Sequence, residues 1–317
     1  MISLPINNLN TGQIDFTDRA FDLFYPIKLP AQIPDKPDSL QLPALVQNSL
    51  SGYRIIVGKE LLEFRKLEET VQAYVLPENA SDMDTFCIAA NYIRLFRPLF
   101  PVEIARIIQS LLDNKTERET IARIFFPEIG LPPNFKLIDA YQNCLNLNIK
   151  IIEWLIEKNA PPKTWFALSA LDREFQSNLI LLLEKTHPTL SVLEEIVRNI
   201  RETIIRDDTN IYQILTEIEW KTILENSDLP EVEKITILRQ RITRLRFPFL
   251  SSHTERAKTL RQKIDTPPNV RISYDPTFEI KALTLDATFA SPKDIDALER
   301  FFTEENRRKL NELFENL

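Results

Sequence analysis

The sequence predicts a mainly helical protein with α+β parts: an α+β N-terminal domain, a helical middle domain and a small α+β module at the C-terminal end. Three observations predict it. From about residue 101, apolar residues recur at three- and four-residue steps, the period of a helix with one buried face. Alternating runs, the pattern of half-buried strands, are confined mainly to residues 1–80 and 270–290. The 317 residues include only four glycines, Gly12, Gly52, Gly58 and Gly130, against 21 prolines. Glycine supplies the positive φ that tight hairpins and phosphate-cradling loops need, so its scarcity argues against a strand-rich fold and a Gly-rich nucleotide loop. Many prolines fall between apolar segments, where they punctuate helices.

The elements follow in order. Residues 1–40 are proline-rich and irregular, with a short strand near Ile2–Ile6. Leu45–Gln47, Tyr53–Val57 and Val71–Leu76 read as strands, and Lys59–Leu67 as a helix between the last two. Ser81 is a good N-cap for the next helix. Pro101 suits a first turn, and Val102, Ala105, Ile108 and Leu112 line one face behind it. Thr116 with Glu119 predicts a capping box opening a helix over Glu117–Phe126. Asn134–Leu145 follows, with Leu137, Ile138, Tyr141 and Leu145 on one face. Further helices are predicted at 148–158, 170–185, 189–206, 210–225, 230–246 and 251–264. After Pro267-Pro268, strands are predicted at Val270–Tyr274 and Ile280–Phe289, then helices at Asp294–Phe302 and Glu304–Phe314. The expected domains are therefore 1–100, 101–264 and 265–317.

Composition excludes several function classes. Cys87 and Cys144 sit inside apolar helical patterns, which fits a reducing compartment rather than a disulfide framework. The start lacks the basic and apolar regions of a signal peptide, and Leu179–Leu183 is too short to span a bilayer, so a cytoplasmic protein with no membrane partner is expected. His187 and His253 have no second His or Cys at ligand spacing, so no metal is expected. No residue set selects a catalytic triad, and Gly58-Lys59 lacks the other residues of a P-loop. A net charge of −7 disfavours indiscriminate coating of nucleic acid but permits a local basic patch.

The informative stretch is Tyr53–Leu67, a strand that turns at Gly58 and enters a helix, whose first N–H groups form a natural phosphate site. Gly52-Tyr53, Arg54–Val57, Gly58 and Lys66-Leu67 fall at the spacing of a motif of the ParB partition family. Asn91-Tyr92-Ile93-Arg94 ahead of Pro101-Val102-Glu103, with Ala105, is similar to that family's second motif, across a loop about two residues longer. Glu119, Ile121, Ala122 and Arg123, with Asn134–Leu145 as a second helix, resemble its helix-turn-helix. The chain thus resembles a divergent ParB-like protein over about residues 40–200. The resemblance implies a CTP pocket at Gly58, Lys59, Asn91 and Arg94. It also implies double-stranded DNA as partner, a role in DNA partition or transcriptional regulation, and often a homodimer.

The departures are chemical. Where the family carries Glu-Arg-Arg and a further arginine, this chain has Lys59-Glu60-Leu61 and then Glu63. Carboxylates repel a triphosphate, so no CTP turnover and no cofactor are expected, and Tyr53–Leu67 also reads as a plain β-α unit. The superfamily implied by the resemblance also includes kinases and sulfiredoxin-like enzymes; Glu60 is the residue to test there, and an enzyme ranks last.

For DNA, Asn134, Lys136 and Gln142 are candidates on the second helix, although its basic content is thin and a structural three-helix bundle reads equally well. Lys234–Lys263 is the concentrated basic stretch, and Arg239, Arg241, Arg244, Arg246, Arg256, Lys258 and Arg261 are its candidate phosphate contacts. Its alternatives are a solvated face or a partner for the acidic remainder of the chain. The competing function is a ParB-derived interaction or scaffold protein that binds another protein and neither nucleotide nor DNA.

Overall fold

The computed structural model describes residues 4, 6–17, 23–25, 43–49, 52–59, 62 and 70–317. The chain divides into two compact units, 1–180 and 181–317, with the boundary inside one helix.

The first unit opens with a mixed five-stranded sheet. Its strands are β1 (Ile6–Asn10), β2 (Ile14–Asp15), β3 (Ala44–Ser49), β4 (Gly52–Val57) and β5 (Thr70–Leu76), in the spatial order β1-β5-β3-β4-β2. β3 pairs antiparallel with β4 and parallel with β5; β1 lies antiparallel to β5, and β2 parallel to β4. Val46, Ile55, Leu62, Val71 and Ala73 pack with Leu9 and Ile14 in the sheet's core. Gly52 is required where it stands. Its φ is 134°, and a Cβ there would lie 2.3 Å from the carbonyl oxygen of Gln13. Most of the early strand expected at Ile2–Ile6 lies outside the described residues, its last residue opens β1, and β2 was not predicted. Most of the helix expected at Lys59–Leu67, including Glu60, Glu63 and Lys66-Leu67, lies outside the described residues; Leu62 N–H does donate to Gly58 C=O at 3.2 Å.

Helices follow: α1 (Asp82–Arg94), α2 (Pro101–Asp113), α3 (118–128), α4 (Lys136–Asn143), α5 (Ile149–Glu157), α6 (Pro162–Ser169) and α7 (Arg173–Thr186). Ser81 caps α1 by accepting from Asp84 N–H, as its position predicts. At α2 the buried Glu103 takes four donors: Phe100 N–H at 2.8 Å, Tyr25 N–H at 2.7 Å, and Arg97 Nη1 and Nη2 at 2.8 and 2.6 Å. One buried carboxylate thus joins a helix start, an arginine and the Tyr25 backbone.

α3 corrects the Thr116–Glu119 capping box, because Glu117 is the N-cap and makes no side-chain bond. Ile121–Phe125 within α3 is a π segment. The helix stops at Gly130, whose φ is 80°. Gly130 N–H reaches Pro127 C=O at 3.0 Å, and Leu131 N–H reaches Phe126 C=O at 2.8 Å, the paired closure that a glycine just past a helix end permits. α6 was not predicted, although Pro162 suits the first turn of a helix.

The second unit holds α8 (Leu190–Asp207), α9 (Ile211–Glu217), α10 (Trp220–Glu225), α11 (Glu231–Arg246) and α12 (Pro248–Gln262). The single helix expected at 210–225 is two helices, because Glu219 adopts φ 55° and turns the chain. The tail adds β6 (Val270–Tyr274), β7 (Leu283–Ala287), α13 (Pro292–Phe301) and α14 (Glu304–Glu315). β6 and β7 form an antiparallel ladder. Ile272, Phe301 and Leu313 share a core with Ala257, Leu260 and Ile264, so the end of α12 is built into the tail's core. The architecture is therefore mainly helical, with an α+β start and a small α+β end. Among the described residues no helix is long and apolar enough to cross a membrane, and no group of three or more His, Cys, Asp or Glu could hold a metal.

Candidate nucleic-acid interface

The residues expected to hold a nucleotide lie in the first unit. Gly58 ends β4 with φ 90°, a conformation that suits glycine, and Lys59 beside it is half-buried. Asn91 and Arg94 lie three residues apart on α1 and meet: Arg94 Nη1 donates to Asn91 Oδ1 at 3.1 Å and to Glu128 C=O at 3.2 Å. Glu128 is the last residue of α3, where carbonyls lack helical partners and a cation is favourable. A Cβ at Gly130 would lie 3.3 Å from Arg94 Nη2, so this glycine also admits the guanidinium. Arg94 thus closes the end of α3 in this structure.

The candidate recognition helix α4 is only Lys136–Asn143, shorter than the expected Asn134–Leu145, and a 3-10 turn continues it. Asn134 precedes it and accepts from Lys136 N–H at 3.0 Å. Asn134 and Lys136 are exposed, whereas Gln142 Nε2 donates to Gln109 Oε1 on α2 at 3.1 Å. Asp139 on the same helix binds Arg118 at 2.5 Å. The exposed face of α4 carries little free positive charge.

The basic stretch forms the consecutive helices α11 and α12 of the second unit. Leu238 and Ile242 bury one face of α11; Ala257 and Leu260 bury one face of α12. The arginines of α11 are largely occupied. Arg239 holds Glu195 in a fork, with Nε at 3.2 Å and Nη2 at 2.6 Å. Arg241 donates to Ile218 C=O at 3.0 Å and to Glu219 at 2.8 Å. Arg246 binds Glu202 and Asn199 and lies 4.5 Å from the Phe247 ring centre. Arg244 is different: it is 68% exposed, and its nearest carboxylate, Glu255, is 3.9 Å away. Lys234 is buried and donates to Leu224 C=O at 3.0 Å, at the end of α10.

α12, with Lys263 as its C-cap, presents the opposite case. Arg256, Lys258, Arg261 and Lys263 are exposed, and none pairs with a carboxylate among the described residues. Because 3.6 residues make a turn, these positions spread around the solvent-facing arc left by Ala257, Leu260 and Ile264. Glu255 stands within that arc and bears toward Arg244. Two surface grooves flank the α11–α12 pair, of about 470 and 530 Å³, and share Arg244, Ser251 and Glu255.

No family model matches this chain, and no curated protein matches it. Among solved structures, it is similar to the C-terminally truncated chromosome-partitioning protein ParB from Caulobacter crescentus, complexed to the centromeric parS site. That likeness has 17% identity, spans 55% of this chain and 91% of that one, and has a TM-score of 0.29.

Sequence reading offered the acidic remainder of the chain as a partner for the basic stretch but named none of the residues. Glu195, Glu202 and Glu219 are distant in sequence from the arginines they hold, and no local pattern announces the pairing. It also missed the hydroxyl groups beside the basic residues, although their helical spacing was a readable signal.

Proposed function

We propose that the chain binds double-stranded DNA through the exposed cations of α12, in a role of the partition or transcriptional-regulation class that its sequence motifs imply, and without turning over CTP. The observation that carries this is the contrast between the two basic helices. The α11 arginines are mostly committed to acids and carbonyls of their own unit, whereas Arg256, Lys258, Arg261 and Lys263 face solvent unpaired among the described residues. Cations already neutralised release few counterions on meeting a phosphate backbone; free ones release about 0.9 each per contact. A face of four predicts modest, salt-sensitive affinity without base-specific readout. The absence of CTP turnover rests on Lys59-Glu60-Leu61 and Glu63, which stand where the related motif carries arginines.

The test is fluorescence anisotropy of a labelled duplex across a salt series. The triple variant Arg256→Ala, Arg261→Ala, Lys263→Ala is expected to flatten the slope of log affinity against log salt by about 2.7, from three lost contacts. Arg239→Ala and Arg241→Ala are expected to leave the slope in place and lower thermal stability instead. An unchanged slope in the triple variant refutes the α12 assignment. A parent chain that binds no duplex at low salt favours the second reading, a protein-interaction scaffold, which the internal pairing of α11 supports.

A further inference from the structure

The groove of about 530 Å³ beside α11 and α12 has a regular construction. Glu195 of α8 stands in its wall; from α11 it takes Thr236, Arg239, Gln240, Thr243 and Arg244, and from α12 Ser251, Thr254, Glu255 and Lys258. Each set follows three- and four-residue steps, so each is one continuous face of its helix. Two polar stripes therefore line a shared seam, with Leu250 as its apolar member.

We propose that this seam is a binding site for a phosphate ester, with Arg244 and Lys258 as its ligating cations. Arg239 is fixed in the wall by its fork to Glu195 and has little capacity to spare. Arg244 is held only loosely, 3.9 Å from Glu255, and Lys258 forms no ion pair among the described residues. Their charges suit a phosphate: the guanidinium offers a planar fork and the ammonium a point charge. The hydroxyls of Thr243 and Ser251 lie in the same lining, available to bond ester oxygens, whereas that of Thr254 already donates to Leu250 C=O at 2.7 Å. The absence of aromatic residues from this lining argues against a ligand recognised by ring stacking. The ester can come from a small sugar phosphate or from a nucleic-acid backbone. Glu195 in the same lining stays forked to Arg239, so Glu255 is the acid that opposes either one, and an arriving phosphate takes Arg244 from it.

Calorimetric titration of the full chain with glucose 6-phosphate, and with glucose as control, tests the small-molecule source; duplex anisotropy tests the backbone. Arg244→Ala and Lys258→Ala are each expected to weaken the phosphate-bearing probe about tenfold or more. Glu255→Gln is expected to tighten it several-fold, which a merely structural role would not produce. Both cations are exposed, and matching thermal melts establish that the variants remain folded. Arg256→Ala, Arg261→Ala, Lys263→Ala lies outside the lining and is expected to leave glucose 6-phosphate binding unchanged, so the seam and the α12 face fail separately. Lys258 also belongs to the α12 face, so Arg244→Ala decides the backbone arm: if the duplex alone responds to it, the backbone is the source and the phosphate site stands. If neither phosphate-bearing probe distinguishes those variants from the parent, the site does not exist.

Discussion

Replacing Glu103 with Ala removes the acceptor on which four donors converge in the first unit. Two belong to Arg97, whose side chain is 16% exposed, and two are the N–H groups of Tyr25 and Phe100. Arg97 Nη2 keeps its bond to Tyr25 C=O at 2.7 Å and Nη1 its bond to Pro98 C=O at 3.0 Å, but the charge loses its counterion. Breaking one side of a buried pair costs about 3 to 5 kcal/mol, and the lost cap contact adds roughly 1 kcal/mol. The sum is a large share of the 5–15 kcal/mol typical of a domain. Urea unfolding followed by tryptophan fluorescence reads it, because Trp165 stacks on Phe100, with ring centres 6.4 Å apart, and Phe100 lies under Arg97. Trp220→Phe in the background confines the signal to Trp154 and Trp165 of the first unit. The double variant Arg97→Met, Glu103→Leu is expected to recover much of the loss, since an apolar pair leaves no stranded charge. A loss below about 1 kcal/mol for Glu103→Ala, or a double variant worse than either single one, refutes the reasoning.

Gly52→Ala forces a Cβ against the Gln13 carbonyl oxygen, so the sheet is expected to lose more than the ~1 kcal/mol usual for one side chain at positive φ; an unchanged urea midpoint counts against the described contact. Asp294 accepts from Ala290 and Ser291 N–H at 2.8 and 2.7 Å, and those bonds hold its carboxyl below the ordinary value. A depressed folded pKa stabilises above the ordinary carboxylate value, and the contribution disappears as pH falls through the folded one. Asp294→Ala is therefore expected to lower the melting temperature at neutral pH by more than it does under strong acid, and a deficit independent of pH speaks against the linkage. Burial pushes the thiols of Cys87 and Cys144 up to about 12, helped at Cys87 by Glu128 and Asp84. Iodoacetamide at mildly alkaline pH is expected to spare both until denaturant is added, and rapid alkylation of the native chain contradicts their burial.

The sequence made the helices legible wherever a single apolar stripe ran unbroken. Leu193, Ile196, Val197 and Ile200 place α8 to within a residue or two, and all four are buried. Legibility failed where backbone conformation, not side-chain pattern, set the boundary. Glu219 in the left-handed region splits 210–225, and nothing in its neighbours' hydrophobicity requires that. The site divides the same way. Basic residues are visible as letters, but whether a charge is free depends on what faces it. Arg239 and Lys258 are both cations in one run; only the fold brings Glu195 to the first and leaves the second uncovered.

The order of the sheet has a consequence for solubility. β5, with the sequence Thr-Val-Gln-Ala-Tyr-Val-Leu, is the kind of apolar strand that recruits other chains when its polar edge is bare. β1 occupies that edge with Ile-Asn-Asn-Leu-Asn, turning only Leu9 inward and presenting three asparagines outside the core. At the far side the sheet stops in β2, a strand of two residues and too short a template for another chain. Removal of residues 1–10 would therefore strip the guard from β5, and the truncated chain should self-associate through that edge even where its helices fold normally.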